Sequence, residues 1–183
     1  GAAHSIALKT NRTVWTWGNR DYAQIGRIIY GPGSTPQSVA GQVAGLTDVK
    51  AIAGGWEHTV VLKEDATVWA CGRNLEGQLG DGTTIGSYFP PPGPPKFFVR
   101  VVGPTDPTGY LTGIAAIGAD DRYTLAVKTN GTAWGWGSNY AGVFCDGTSG
   151  VGPGKAVPIQ MKDPSDPTGF LTGVTAVGAG DYH

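Results

Sequence analysis

The stretch Gly54–Thr83 reads GGWEHTVVLKEDATVWACGRNLEGQLGDGT, and its pattern is the main evidence for the fold of the chain. Closely similar runs begin at His4 (HSIALKTNRTVWTWG) and at Tyr123 (YTLAVKTNGTAWGWG). A further copy begins later, where LTGVTAVGAGDYH from Leu171 repeats LTGIAAIGADDRY from Leu111. Self-similarity of this kind indicates a repeat architecture. We therefore treat residues 1–183 as a single segment of three repeats, at about 4–57, 58–122 and 123–182.

Alternation of side chains along each repeat predicts β-strands. In the run His4–Lys9, every second residue shares a face, a spacing typical of a strand. The next run repeats this alternation and places tryptophans on one face, opposite small residues on the other. Two such sheets pack efficiently when the tryptophans of one sheet fill the space above the small residues of the next. We therefore expect five tryptophans to be mostly buried: Trp15, Trp17, Trp69, Trp134 and Trp136.

Short connectors between these runs predict tight hairpins. Asn130-Gly131 is the strongest short hairpin signal that a sequence offers. A further strand fits residues 49–53, with counterparts at 114–117 and 174–177. Units of three or four short strands are typical of β-propeller blades. The predicted fold class is all-β, with three four-stranded antiparallel propeller blades and almost no helix.

These motifs resemble the regulator of chromosome condensation repeat. The matching features are Gly-Gly-x-x-His-Thr from Gly54, Val-Trp at Val68 and Gly-Gln-Leu-Gly-Asp-Gly-Thr from Gly77. The chain is similar to the bacterial type of this repeat and, in repeat class, to the propeller of a β-lactamase inhibitory protein. The resemblance implies a ring that usually has seven blades. Three blades would then be part of a longer chain, or would close a ring with other copies.

The two ends of the sequence share one repeat phase, because His183 stands where His4 stands. We expect the C-terminal strand, from Val174 to His183, to pair with the sheet that begins at His4, in another copy or in a longer parent ring. Head-to-tail association of this kind gives a closed ring or an open filament.

Composition excludes several classes of partner. The net charge is -1, which provides no basic surface for nucleic acid or an anionic membrane. No apolar run reaches the ~18 residues of a membrane-spanning helix. Cys71 and Cys145 lack the neighbouring Cys or His residues of a zinc site, and two separate thiols are expected. The proline-rich run 90–95 is interpreted as a loop, with docking to an aromatic groove as the alternative.

The sequence contains no pattern of catalytic residues. It lacks a Gly-x-Ser-x-Gly nucleophile elbow and a phosphate-binding loop. His4, His58 and His183 occupy one repeat position, so we expect each to make the same hydrogen bond within its own blade. Asp81 and Asp146 begin Asp-Gly-Thr sequences, which favour turns over calcium ligation. We therefore expect no enzyme activity, no cofactor and no metal site.

One pair of positions varies among the repeats where its neighbours do not. It lies directly before the aligned His or Tyr, in a turn at one end of the propeller. Aromatic and Arg side chains there are typical of protein interfaces, and the β-lactamase inhibitory protein implies the same use of this turn. The predicted partner-binding residues are Trp56, Glu57, Asp121, Arg122, Asp181 and Tyr182.

The predicted function is a non-catalytic propeller that binds a protein, outside the cell or at the cell surface. Two alternatives stay open on the sequence alone. The blades could be structural units of a surface layer or filament, or the exposed aromatic residues could bind carbohydrate. Nucleotide exchange on a small GTPase is less favoured, because the sequence shows no inserted wedge of the kind that the family's exchange factors use.

Overall fold

The computed structural model describes residues 1–27, 36–85, 97–150 and 152–180, and within these ranges it contains eleven β-strands and no helix. The run 90–95 and the residues Asp181, Tyr182 and His183 lie outside the described ranges. The strands are β1 His4–Leu8, β2 Val14–Gly18, β3 Gln37–Gln42, β4 Val49–Gly54, β5 His58–Lys63, β6 Val68–Gly72, β7 Val99–Arg100, β8 Ile114–Asp120, β9 Tyr123–Lys128, β10 Ala133–Gly137 and β11 Lys155–Gln160. The all-β prediction is confirmed. In the described ranges no helix has the length and apolar character that a bilayer crossing requires.

The strands form three antiparallel sheets in which neighbours in sequence are neighbours in space. Their orders are β1-β2-β3, β4-β5-β6-β7 and β8-β9-β10-β11. The first sheet therefore has three strands rather than four, because no described segment pairs with the outer side of β1. The other two sheets have four strands, as predicted, although the positions of their outermost strands β7 and β11 were not predicted. Each of them begins one strand before the aligned His58 or Tyr123.

The strand predicted at residues 174–177 does not form. Val174 donates one backbone hydrogen bond to the carbonyl of Gly131, at 2.9 Å. Val177 packs through its side chain against the core of the third sheet. A strand requires a continuous ladder of backbone pairs, and no described segment offers one to these residues. The expected pairing of this segment with the sheet that begins at His4 concerns another copy or a longer parent ring, and it stays a prediction.

The β9–β10 connector is the predicted hairpin. The Gly131 amide donates to the Lys128 carbonyl at 2.9 Å, and the Asn130 side chain accepts from the Thr132 amide at 3.2 Å. Gly131 has a φ of 80°. A turn followed by one left-handed residue is a common geometry for a three-residue hairpin loop. Arg12 and Ala66 hold the same position in the other two hairpins, with φ of 65° and 61°.

The hydrophobic core lies between successive sheets. Val68 and Ala70, on the small face of β6, pack with Ile114 and Trp136 of the third sheet. The junction between the first two sheets is built in the same way, by Val14, Val61 and the half-buried Trp69. Face-to-face stacking of this kind matches the predicted interdigitation of large and small side chains.

The prediction that the five tryptophans are mostly buried is confirmed. Trp134 is 6% exposed and Trp136 is 0% exposed, whereas Trp15, Trp17 and Trp69 keep part of their surface exposed. The tryptophan-bearing face of the first sheet has no described sheet packed on it, which explains Trp15 and Trp17. Trp69 lies at the margin of the core between the first two sheets.

The position of each loop follows from the strand directions. The β4–β5 and β8–β9 turns lie at the same end of the sheets as the loops that follow β2, β6 and β10. We refer to this end as the loop face, and its described residues are 19–27, 55–57, 73–85, 121–122 and 138–150. The hairpins β5–β6 and β9–β10 lie at the opposite end.

Candidate functional site

The aligned histidines join neighbouring sheets. His58 Nε2 lies 3.0 Å from the Thr124 hydroxyl, which donates to the Gln78 carbonyl at 3.0 Å. The expectation of a bond within one blade was wrong, because Thr124 belongs to the next sheet. The preceding junction repeats the arrangement with His4, Thr59 and Gln24, at 2.8 and 2.7 Å. Since the hydroxyl proton goes to the carbonyl, the imidazole Nε2 must donate to the hydroxyl oxygen.

Burial makes these imidazoles poor candidates for acid–base chemistry. His58 is 0% exposed. Burial is the main cause that lowers its pKa to about 3, and the neighbouring His4 contributes further. A proton on Nδ1 would find no hydrogen-bond acceptor among the described residues. The histidines therefore stay neutral and connect the sheets.

The Asp-Gly-Thr sequences form turns, as predicted. Asp81 accepts from the Thr83 amide at 3.0 Å, and Asn74 donates to Asp81 at 3.1 Å. Asn139, Asp146 and Thr148 repeat this geometry in the third sheet. The described ranges contain no group of three or more His, Cys, Asp or Glu side chains that could hold a metal ion.

The two cysteines are separate free thiols. Cys71 is buried, whereas Cys145 is exposed. Burial raises the pKa of the Cys71 thiol, which keeps it protonated and unreactive.

Two of the turns chosen from the sequence meet on the loop face. The Trp56 amide donates to the Asp121 carbonyl at 2.9 Å, which joins the β4–β5 turn to the β8–β9 turn. The Arg122 guanidinium lies 5.9 Å from the centre of the Trp56 ring. Trp56 nevertheless remains 44% exposed. The structure thus brings Trp56, Asp121 and Arg122 together around one exposed indole.

Ion pairs hold this part of the loop face in place. Arg73 contacts Glu57 at 3.1 Å and Glu76 at 2.9 Å. Arg122 lies 3.6 Å from Glu76 and 3.5 Å from Asp121. The Arg73 and Glu76 side chains are 16% and 20% exposed, so these pairs are partly shielded from water. Glu57 therefore points toward Arg73 and supports the frame around Trp56.

Trp56 separates two cavities. The first, of about 640 Å³, is lined by Trp56, Arg122, Glu76 and Tyr140 among others. The second, of about 550 Å³, is lined by Trp56, Asp120 and Asp121 together with the backbone of small residues. A half-exposed indole between two concave surfaces is a suitable anchor for a protein partner.

Sequence reasoning missed the contribution of the loops that follow β6 and β10. Leu75 and Tyr140 are 57% and 58% exposed on the loop face. Both come directly after an aligned asparagine, Asn74 or Asn139. Variation at that position, beside a repeated asparagine, was the signal that could have identified them.

Comparison with known proteins identifies the repeat. Models of the Regulator of chromosome condensation (RCC1) repeat match residues 13–62 and 49–78. The chain is 30% identical over 188 aligned residues to human "Probable E3 ubiquitin-protein ligase HERC6", which covers 100% of the chain and 16% of that protein. It is 28% identical to the Arabidopsis thaliana "RCC1 domain-containing protein RUG3, mitochondrial", over 100% of the chain and 37% of that protein.

Solved structures show the same fold. Human WBSCR16 superposes with a TM-score of 0.71 at 22% identity, over 90% of the chain and 38% of that structure. Prp20p of Saccharomyces cerevisiae superposes with a TM-score of 0.67 at 20% identity, over 89% of the chain and 37% of that structure. The chain spans less than two fifths of each of these four proteins.

The expectation of an extracellular or cell-surface location was wrong. A relative that matches the whole chain is described as mitochondrial. HERC6 and RUG3 are human and plant proteins, so they give no support to the bacterial type of the repeat or to the likeness with the β-lactamase inhibitory protein. The error arose because fold and surface chemistry do not specify a cellular compartment.

Proposed function

The chain is built of regulator of chromosome condensation (RCC1) repeats, and we propose that its loop face binds a protein partner without catalysis, around Trp56 and Arg122. The proposal depends mainly on one observation. Trp56 is half-exposed between two cavities, although its backbone and its neighbours are held by hydrogen bonds and ion pairs. A rigid aromatic anchor loses little conformational entropy on binding, so less of the free energy gained by burying it is offset.

The interaction surface also includes Tyr140 and Leu75. Tyr140 lines the first cavity together with Trp56 and Arg122, and Leu75 is exposed at the equivalent position of the preceding sheet. Aromatic residues and arginine dominate the energetics of protein interfaces. Asp181 and Tyr182 remain predicted members of this surface.

One solved relative supports a role in protein recognition. The study of Prp20p describes its binding to Gsp1p and to histones. We propose that the present chain shares this general role of a propeller surface that recognises proteins, with a partner of its own. The three repeat units at 4–57, 58–122 and 123–182 remain our proposed division, and they would contribute three blades to a larger ring.

Quantitative affinity purification with matched variants tests the proposal. Trp56→Ala and Arg122→Ala remove the anchor and its charged neighbour. Tyr110→Ala is the control, because Tyr110 is also an aromatic residue with 41% exposure but follows β7 at the opposite end of the sheets. Purified Gsp1p and histones serve as direct binding probes beside the cell extract.

We expect a reproducible set of proteins that bind the wild type and Tyr110→Ala, and that are lost with Trp56→Ala. Circular dichroism and thermal unfolding would verify that the variants fold alike. If Trp56→Ala and Arg122→Ala retain every protein that the wild type captures, the proposed surface is wrong. Binding of oligosaccharides at Trp56, without any protein ligand, would favour the carbohydrate alternative.

A further inference from the structure

The surroundings of Trp56 carry more negative than positive charge. Four carboxylates and two guanidinium groups lie in the turns and loops beside the indole: Glu57, Glu76, Asp120, Asp121, Arg73 and Arg122. Both arginines already contact two of these carboxylates each. Two negative charges are left in excess at a site where the chain as a whole has a net charge of only -1.

The excess is concentrated in the second cavity. Asp120 and Asp121 line it, and its other described walls are Trp56, Gly54, Ala119, Gly1 and Ala2, none of which has a charged side chain. The Asp120 carboxylate accepts the Asp121 amide at 2.8 Å, which fixes its position at the end of β8. The cavity therefore has an aromatic wall and an acidic wall.

A basic side chain matches both walls. Lysine and arginine have an apolar stem that can lie along an indole and a cation that is attracted to the ring face. A carboxylate beside the ring adds a charge-assisted hydrogen bond. An acidic side chain would be repelled by these carboxylates, and a purely apolar side chain would offer them no hydrogen-bond donor.

We propose that the protein partner inserts a lysine or arginine side chain into the second cavity, between Trp56 and the carboxylates of Asp120 and Asp121. This inference depends on the proposed function of the loop face, and it specifies the chemistry of the partner segment. Arginine is favoured over lysine, because its planar guanidinium can stack on the indole and pair with a carboxylate at the same time.

Fluorescence anisotropy with short labelled peptides tests the inference on the complete chain. The probes are a hexa-arginine peptide, a hexa-lysine peptide and a hexa-glutamate peptide, each measured at pH 7. We expect the arginine peptide to bind more tightly than the lysine peptide, and its binding to weaken as salt is added. The glutamate peptide should not bind.

Two kinds of variant connect binding to the cavity. We expect Asp120→Asn and Trp56→Ala each to weaken the affinity for the arginine peptide by about fivefold or more. This is the effect of losing one favourable cation contact. Trp56→Phe should lose less affinity for this peptide than Trp56→Ala, since phenylalanine keeps an aromatic face. Asp163→Asn is the control, because it removes one negative charge from an exposed loop at the opposite end of the sheets.

The outcomes separate this inference from the proposed function. Equal weakening by Asp163→Asn and Asp120→Asn would show general charge attraction and overturn the inference. If the arginine peptide does not bind, but Trp56→Ala still loses captured proteins, the partner does not insert a basic side chain. The proposed protein-binding surface would then stand. If Trp56→Ala affects neither measurement, both proposals fail.

Discussion

The third residue of each hairpin loop adopts a left-handed backbone conformation, and only one of the three is glycine. Gly131 accommodates its φ of 80° without steric cost, whereas Arg12 and Ala66 carry side chains at 65° and 61°. A side chain in this region costs about 1–2 kcal/mol. The fold tolerates that cost twice, because the hairpin register depends on the turn.

We predict that Ala66→Gly stabilises the protein. Relief of the left-handed strain exceeds the added chain entropy of glycine in the unfolded state, so the free energy of unfolding should rise by about 0.5–1 kcal/mol. Urea denaturation measures this change. The reverse substitution, Gly131→Ala, should lower the free energy of unfolding by about 1 kcal/mol. Changes of the same sign in both variants would contradict the explanation.

Buried neutral histidine makes the stability depend on pH. The pKa of His58 is about 3 in the folded protein, against about 6.5 in an unfolded chain. Well above pH 6.5 the imidazole is neutral in both states and the effect vanishes. As the pH falls below that value, the imidazole is protonated in the unfolded chain but stays neutral in the folded protein. The free energy of unfolding therefore decreases as the pH is lowered.

We predict that His58 alone lowers the free energy of unfolding by about 1.6 kcal/mol between pH 6.5 and pH 5. His58→Gln keeps a donor for Thr124 and removes the titration. The variant should therefore show a shallower pH dependence over this interval, measured by urea denaturation at several pH values. Carboxylates with lowered pKa, such as Asp106, titrate below this interval. Identical slopes for the two proteins would refute the assignment.

At the scale of a single sheet, Gly135 in β10 leaves room for side chains of its own blade. A Cβ atom at Gly135 would lie 2.4 Å from Phe144 and 3.1 Å from Met161. The sequence predicted that a neighbouring sheet would use this space. The loop that follows β10 returns Phe144 to it instead, and Phe144 is 0% exposed.

We predict that Gly135→Ala destabilises the protein by about 1–3 kcal/mol through overpacking, and Gly135→Leu by more. Gly118→Ala in β8 is the matched control, because a Cβ there would meet its nearest neighbour at an ordinary 3.5 Å. Thermal unfolding measures both variants, and we expect a larger fall in melting temperature for Gly135→Ala than for Gly118→Ala. An unchanged melting temperature for Gly135→Leu would show that the site can expand, contrary to close packing of Phe144 on Gly135.

At the scale of the whole molecule, hydrogen bonds between sheets supplement the hydrophobic junctions. The Thr124 hydroxyl joins His58 to the Gln78 carbonyl, and the Trp136 indole donates to the same carbonyl at 3.0 Å. All of these groups are buried. Their geometry fixes how one sheet sits on the next, and therefore how the turns meet on the loop face.

We predict that Thr124→Val lowers the free energy of unfolding by about 1–3 kcal/mol, since it nearly preserves the side-chain shape but leaves buried polar partners unsatisfied. Hydrogen exchange should locate the loss of protection at the junction of β5, β6 and β9. Thr59→Val is the corresponding variant at the first junction. A loss confined to the hairpin of β9 would contradict the role of Thr124 between sheets.

The candidate site could be predicted in part from the sequence. The varying pair before the aligned His or Tyr identified Trp56 and Arg122, because a turn between regular strands can vary without disturbing the core. Glu76 and Tyr140 were not identified, since they lie in loops about twenty residues along the chain from those turns. Only the folded arrangement shows that these loops reach the same end of the sheets.

Alternation and turn chemistry were enough to locate the central strands, the hairpins and the repeat, because both act between residues close together in the chain. The outermost strands β3, β7 and β11 could not be located in this way. The folded arrangement determines that Phe144 fills the space beside Gly135, that His58 bonds to Thr124 of the next sheet, and that residues 174–177 form no strand. Burial, backbone pairing and charge balance depend on which surfaces meet, and residues far apart in the chain supply those surfaces.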